Sequence, residues 1–255
     1  MADVTRIAFI TGGAGGIGIA VAQRLAQAGM AIAIGDTDRD AIDVALGTLR
    51  AGGCDALGLV LDVTSESSVA AAYAAIDNRF NRLDVLVNCA GVQGLDNGKR
   101  PPVETMALGL WKQTLDVNLT GTFLSCRGAI PLMRRHKWGR MVNISSRAAR
   151  MRTGLGNSNY AASKAGLIGF SRVLASEVGR DGITVNCIAP SRVITAMTLS
   201  ASDSKASFEK NIVETAVGRL AEPEDVAGMI AFLCTDEASF VTGTIMDVNG
   251  GSYMP

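Results

Sequence analysis

What this chain has little of narrows its chemistry before any motif is read. His136 is its only histidine, and it lies in the basic run Arg134-Arg135-His136-Lys137, where it reads as part of a solvated helix end. A Ser-His-Asp or Cys-His triad needs an imidazole beside the nucleophile, so such triads are set aside. The five cysteines, Cys54, Cys89, Cys126, Cys187 and Cys234, are odd in number and scattered, with no CxxC pair. Neither a disulfide framework nor a zinc knuckle is suggested, and reduced thiols in a cytosolic setting are the simplest reading. The 24 basic and 24 acidic residues cancel, which leaves no electrostatic footprint for nucleic acid or an anionic membrane. No apolar segment approaches the roughly 18 residues of a membrane span, and the N-terminus enters a strand-like run at Ile7 without a charged, apolar leader. The expectation is a soluble cytoplasmic protein with neither nucleic acid nor membrane as partner.

What is present is an apolar chain without repeats. Its 255 residues are 48% hydrophobic and only 19% charged, enough for one large core buried on several sides, with subunit interfaces as a further use of apolar surface. Short apolar runs alternate with longer segments of helical period, the pattern of βαβ units and a parallel sheet. Strands are predicted at 7–11, 31–35, 56–61, 83–88, 140–145, 183–189 and 245–248, and helices at 17–28, 39–50, 66–79, 110–135, 159–179 and 223–235. Several strands are apolar throughout, as expected where both faces are covered. The fold class is therefore α/β: a single-domain Rossmann fold over 1–255, with a doubly wound seven-stranded parallel sheet and helices on both faces. Ligands of such sheets bind beyond the carboxyl ends of the strands. The segment 191–217 has few strand signals and reads as a loop or short-helix lid over that edge. The glycine- and proline-bearing stretch 92–103 reads as a second loop.

The first βα turn, Thr11-Gly12-Gly13-Ala14-Gly15-Gly16-Ile17-Gly18, offers backbone N–H groups and a helix N-terminus to a pyrophosphate. A literal GxGxxG can be read at Gly13, Gly15 and Gly18, but 29 glycines produce such matches cheaply. Context strengthens it, because Asp36 ends the second strand, where a carboxylate would accept both hydroxyls of an adenosine ribose. A 2'-phosphate there would meet a like charge at a cost of roughly 1 to 4 kcal/mol. NAD is expected over NADP, although Arg39 could swing toward such a phosphate. Asp62, closing the third strand, could meet an adenine edge or cap the next helix.

Tyr160-Ala161-Ala162-Ser163-Lys164 sets a phenol and an ammonium four residues apart on one helix face. A free phenol titrates near pH ~10, so phenolate at pH 7 costs roughly 4 kcal/mol, part of which a nearby ammonium offsets. Such a pair suits general acid/base work on an alcohol or ketone. Taken alone it would equally be an ordinary amphipathic pair.

The motifs occur in the order and spacing that resemble the short-chain dehydrogenase/reductase family: Thr-Gly-x3-Gly-x-Gly at Thr11 to Gly18, Asp62, Asn88-Cys89-Ala90-Gly91, Asn118, Ser146, Tyr160-x3-Lys164 and Asn186 to Pro190. The likeness runs from about Ile7 to Gly251. It implies a catalytic tetrad of Asn118, Ser146, Tyr160 and Lys164 with no metal. Tyr160 would exchange the proton, Ser146 would hydrogen-bond the same substrate oxygen, and Lys164 would lower the phenol pKa and hold the nicotinamide ribose. Asn118 would kink its helix and hold a relay water. Ser145 is the alternative serine, but strand alternation should point one of the two into the cleft, and the family pattern favours Ser146. The resemblance further implies cofactor contacts at Gly12, Gly15, Gly16, Ile17, Gly18, Asp36, Asp62, Val63, Asn88, Ala90, Gly91, Pro190, Val193 and Thr195, and a homotetramer built on the long helices and the C-terminal strand. Three features depart from the pattern. The interval from Ser146 to Tyr160 is one residue longer than expected, Ser191 stands for the usual glycine, and Cys89 for the usual second asparagine.

Arg150, Arg152 and Arg192 lie on segments that face substrate in the family, and guanidinium suits carboxylates and phosphates. The leading expectation is an NAD-dependent dehydrogenase of a polyol, sugar or hydroxy acid, converting a secondary alcohol to its ketone. The alternatives are an NADP-dependent 3-oxoacyl-thioester reductase and, in another class, a non-catalytic nucleotide sensor.

Overall fold

The computed structural model describes residues 5–151, 157–200 and 205–254. Seven parallel strands form one sheet: β1 (Ile7–Thr11), β2 (Ala31–Asp36), β3 (Ala56–Val60), β4 (Val85–Asn88), β5 (Gly139–Ile144), β6 (Ile183–Pro190) and β7 (Ile245–Val248), in the order β3-β2-β1-β4-β5-β6-β7. The order reverses between β1 and β4, so the two chain segments leaving these strands part and open a crevice at their carboxyl ends. Every strand predicted from the sequence is present, with ends shifted by no more than two residues.

Several strands, β1 to β4 above all, are nearly continuous apolar runs because helices cover both faces. On one face α1 (Gly16–Gln27), α2 (Arg39–Ala51) and α9 (Pro223–Leu233) bury Val21, Leu25, Leu46 and Ile230 against Ile10, Ile32 and Ile34. On the other, α3 (Glu66–Phe80), α5 (Gly121–Arg134) and α6 (Ser158–Val178) bury Ile76, Leu124, Met133 and Leu174 against Phe9, Leu86 and Met141. Alternation along β1 sends Ile10 to the first face and Phe9 to the second, where Phe9 meets Tyr73 edge-on at 5.5 Å.

The helix expected over 110–135 is three pieces: α4 (Leu108–Leu115), a π-helical turn Asp116–Thr120, and α5. The wide turn inserts one residue into the i→i+4 ladder and re-aims Asn118 toward the loop after β4. Within 191–217 the described residues form α7 (Ala196–Ser200) and α8 (Lys205–Glu214); residues 201–204 lie outside the described structure. Among the described residues, no helix is long and apolar enough to cross a membrane.

Candidate active site

A cleft of about 480 Å³ opens at the carboxyl edge between β1 and β4, with the glycine turn and Asp36 at one end and Tyr160 and Lys164 at the other. The glycine turn is built for close approach. Gly12 takes φ +63°, and a Cβ there would stand 2.8 Å from the Ala90 backbone, while one at Gly18 would collide with the Gly12 carbonyl. At Gly15, the N-cap of α1, a Cβ would meet no atom within 4 Å, so the backbone there fronts open space. No side chain caps α1 and no acid occupies its first turn. Its free N–H groups and positive dipole end therefore face the cleft.

Asp36 is fixed rather than loose. Its Oδ2 accepts from Ala14 N at 3.3 Å and its Oδ1 from Thr37 N at 2.8 Å. A carboxylate held at this rim, beside the open glycine backbone, fits the ribose hydroxyls of a dinucleotide and opposes an added phosphate by like charge. Arg39 is exposed in the first turn of α2. Asp62 lines the cleft, and its Oδ1 accepts from Thr64 N and Thr64 Oγ1; it does not cap the next helix, since the N-cap of α3 is Ser65.

At the other end, α6 starts at Ser158 and brings Tyr160 and Lys164 to the cleft one turn apart. Ser145 and Ser146 point opposite ways, as alternation requires: Ser145 Oγ donates to the Lys164 carbonyl at 2.9 Å, whereas Ser146 hydrogen-bonds the Tyr160 phenol. Burial pushes that phenol above its ordinary range, and the Ser146 hydrogen bond pulls it back only in part. Lys164 does not do what the helical spacing alone suggests. Its Nζ stands 5.8 Å from the Tyr160 ring centre and donates to the Ile144 carbonyl at 2.7 Å. Burial holds its pKa down at about 8, so near neutrality it still carries a buried positive charge that favours any anion arriving in the cleft. Cys89 lies beside it, but burial raises that thiol to about 12, so it is an unreactive packing residue.

Asn118 is fully buried and its side chain is saturated by protein. Its Oδ1 accepts from Val92 N at 2.8 Å, and its Nδ2 donates to the Val92 carbonyl and to Ser163 Oγ, both at 3.0 Å. The side chain thus fastens the loop after β4 to α6. Asn157 and Asn159 continue this work by donating to the Gly94 carbonyl.

Of the expected cofactor residues, Gly12, Gly15, Gly16, Ile17, Gly18, Asp36, Asp62, Val63, Ala90, Gly91 and Thr195 line the cleft together with Tyr160 and Lys164. Asn88, Pro190 and Val193 do not. Asn88 braces the sheet interior by donating to Asn143 Oδ1 at 2.8 Å, Pro190 is the buried last residue of β6, and Val193 is buried beside its bridge partner Ala221. Met197 on α7 and Val117 in the π turn also line the cleft, beyond the residues the motifs point to. Their apolar side chains carry no chemical signature in sequence, although the lid segment and Asn118 flank them.

The arginines expected to face substrate are engaged elsewhere. Arg150 Nη2 pairs with Asp247 Oδ2 at 3.2 Å, and buried Arg192 donates to the Thr198 carbonyl at 3.3 Å. Neither lines the cleft, and Arg152 lies outside the described residues. Ser191 takes no left-handed backbone and donates its N–H to the Val248 carbonyl, so a serine is accommodated where glycine was expected.

Comparison with known proteins agrees with this geometry. A family profile described as "Enoyl-(Acyl carrier protein) reductase" matches residues 12–253. The chain is 37% identical over 96% of each chain to a (hydroxy(phenyl)methyl)succinyl-CoA dehydrogenase subunit of Thauera aromatica. It is 37% identical over 97% of each chain to the 3-oxoacyl-(acyl-carrier-protein) reductase of Aquifex aeolicus. Among solved structures, a 3-oxoacyl-(acyl-carrier-protein) reductase with bound NAD from Brucella melitensis superposes with a TM-score of 0.89 at 34% identity, covering all of this chain and 93% of the other.

Proposed function

The chain belongs to the short-chain dehydrogenase/reductase family and is an oxidoreductase of CH–OH and ketone groups; on that premise we propose that it interconverts a 3-hydroxyacyl and a 3-oxoacyl thioester with NAD(H). The carrying observation is the single cleft joining the Asp36–glycine rim to the Tyr160–Lys164 pair. Similarity to enzymes whose names specify acyl-carrier and CoA thioesters favours this substrate class over the polyols, sugars and hydroxy acids suggested by the sequence. Asp36 favours NAD(H) over NADP(H).

The dinucleotide would supply the hydride donor or acceptor. Gly15, Gly16 and the open N-terminus of α1 would bind its phosphates, Asp36 its adenosine ribose, and Lys164 its second ribose. Tyr160 donates a proton to the ketone oxygen during reduction and takes it back during oxidation. Ser146 donates to the same oxygen, stabilising charge that develops there. The raised phenol favours the protonated donor, which suits the reductive direction, while the ammonium of Lys164 keeps the anion within reach. Asn118 is a positioning residue that holds the Val92 loop against α6. A homotetramer is part of this reading; Phe123 on α5 and Val173 on α6, both exposed, offer apolar surface to a second copy.

The test follows NADH oxidation with a 3-oxoacyl-CoA ester and, in the reverse direction, NAD reduction over a panel of polyols, sugars and hydroxy acids. The thioester is expected to give the highest kcat/KM, with NADH bound more tightly than NADPH. A polyol or hydroxy acid turned over faster than any thioester would restore the first expectation and reject this one.

A further inference from the structure

The stretch after Ser146 carries two arginines without a part in the proposed chemistry. Arg147 is 5% exposed, and the Arg150 side chain is about four-fifths buried. Arg147 opens and Arg150 caps a 3-10 turn, Arg147–Ala149, that is hung on Ser146 itself: Ala148 N donates to Ser146 Oγ at 3.1 Å and Ala149 N to the Ser146 carbonyl at 3.0 Å. So short a turn has few bonds of its own with which to hold a position. Both guanidinium groups instead reach residues about a hundred positions away. Arg147 Nη1 donates to the Ser252 carbonyl at 3.4 Å, and Arg150 pairs with Asp247 while lying 5.6 Å from the Tyr253 ring centre.

The segment they grip is itself rigid. Asp247 belongs to β7 and is in register with Ala189 of β6. Beyond it, Asn249 donates to the Tyr253 carbonyl and accepts from Gly251 N, both at 2.9 Å, and Val217 N donates to the Gly250 carbonyl at 3.1 Å, tying the tail to the end of the lid. Gly250 and Gly251 take φ +59° and +77°, and a Cβ at Gly251 would come within 2.8 Å of Ala216.

We propose that Arg147 and Arg150 are positioning residues that fasten the Ser146 turn to the C-terminal segment 247–253, so that this segment holds the Ser146 hydroxyl against the Tyr160 phenol. The proposal rests on the roles given to Ser146 and Tyr160 above. A pair this far out of water is screened less than a surface pair, and the fixed tail gives the turn the anchor its own sequence lacks.

Arg150→Gln, Arg147→Met and Arg150→Lys are compared with the wild-type enzyme under saturating NADH. The first two are expected to lose kcat on the order of tenfold to a hundredfold, the scale of a misplaced catalytic group, with the Kd for NADH within about twofold of wild type. Arg150→Lys is expected to recover most of the loss. In parallel, amide hydrogen exchange at residues 146–151 of the free enzyme should speed up in Arg150→Gln and Arg147→Met. Wild-type kcat in both variants, or a loss matched by equally weakened NADH binding, overturns the proposal. A wild-type enzyme inert on every ketone would count against the reaction, not the clamp; the exchange measurement needs no turnover, and unchanged exchange rejects the clamp on its own.

Discussion

The two ends of the same parallel sheet use charge in opposite ways. At the amino edge the charged groups packed around the starts of β1, β4 and β5 close on neighbours. Buried Asp84 accepts from Ile7 N at 2.8 Å and from Arg82 Nε at 2.7 Å, and Trp138 is stacked between Arg6 and Arg140 while donating Nε1–H to Asp236, which also takes both hydrogen bonds of Arg6. Those donors hold the Asp236 carboxyl below its ordinary range. At the carboxyl edge, a buried lysine held near pKa 8 and a half-buried phenol pushed up lie beside a backbone cradle with open N–H groups. The amino edge is arranged for stability. The carboxyl edge accepts buried, incompletely compensated charge, the usual mark of a reacting site.

Lys164→Met should separate the two most sharply. Turnover is expected to fall about 10²- to 10⁴-fold, the range for an acid/base system losing a partner, while the protein stays folded. Asp84→Ala should do the reverse: about 3 kcal/mol or more of stability lost, because Arg82 and the Ile7 N–H are left without their acceptor, with kcat per folded molecule unchanged. Denaturant titration beside steady-state kinetics reads both, and a loss of stability in Lys164→Met as large as that in Asp84→Ala would erase the contrast.

The lysine also sets a pH dependence. Its folded pKa is depressed, so below about pH 8 the native state carries a buried ammonium at a cost of up to about 3 kcal/mol. As pH rises from about 8 toward the ordinary lysine value near 10.5, the native state releases that proton first and the cost disappears. Wild type should therefore gain stability relative to Lys164→Met over that interval, and a flat difference between pH 7 and 10.5 would contradict the assignment. The smallest effect is expected at the rim. Asp36→Ala should move the NADPH-to-NADH preference toward NADPH by roughly 1 to 3 kcal/mol, about fivefold to 150-fold in Kd, by removing the like charge.

Much of this was legible in the sequence because the signals were local. Apolar runs placed all seven strands, and Asp36 and Ser146 fell at strand ends where a parallel sheet gathers its ligands. Tyr160 and Lys164 share a helix face by spacing alone. What could not be read depended on distant partners or on the backbone's departure from a regular ladder. The π turn at Asp116–Thr120 has no composition of its own, so the helix looked continuous from 110 to 135. Arg150 looked free for substrate because Asp247 is 97 residues away in sequence and a neighbour only after β6 and β7 pair. Asn88 looked like a cofactor contact because it ends β4, but its amide turns inward to Asn143. The spacing of Tyr160 and Lys164 gave no sign of the Ile144 carbonyl, which β5 brings within 2.7 Å of the Lys164 ammonium.

The central claim is that the Tyr160 phenol moves the proton at the carbonyl oxygen, with Ser146 and Lys164 stabilising the charge that develops and the rest of the cleft binding and orienting. Stopped-flow NADH oxidation with a 3-oxoacyl-CoA ester, comparing wild type with Tyr160→Phe, measures this directly. The account predicts a loss of about 10²-fold or more in the reductive step with NADH affinity unchanged; a Tyr160→Phe enzyme that oxidises NADH at the wild-type rate would contradict it.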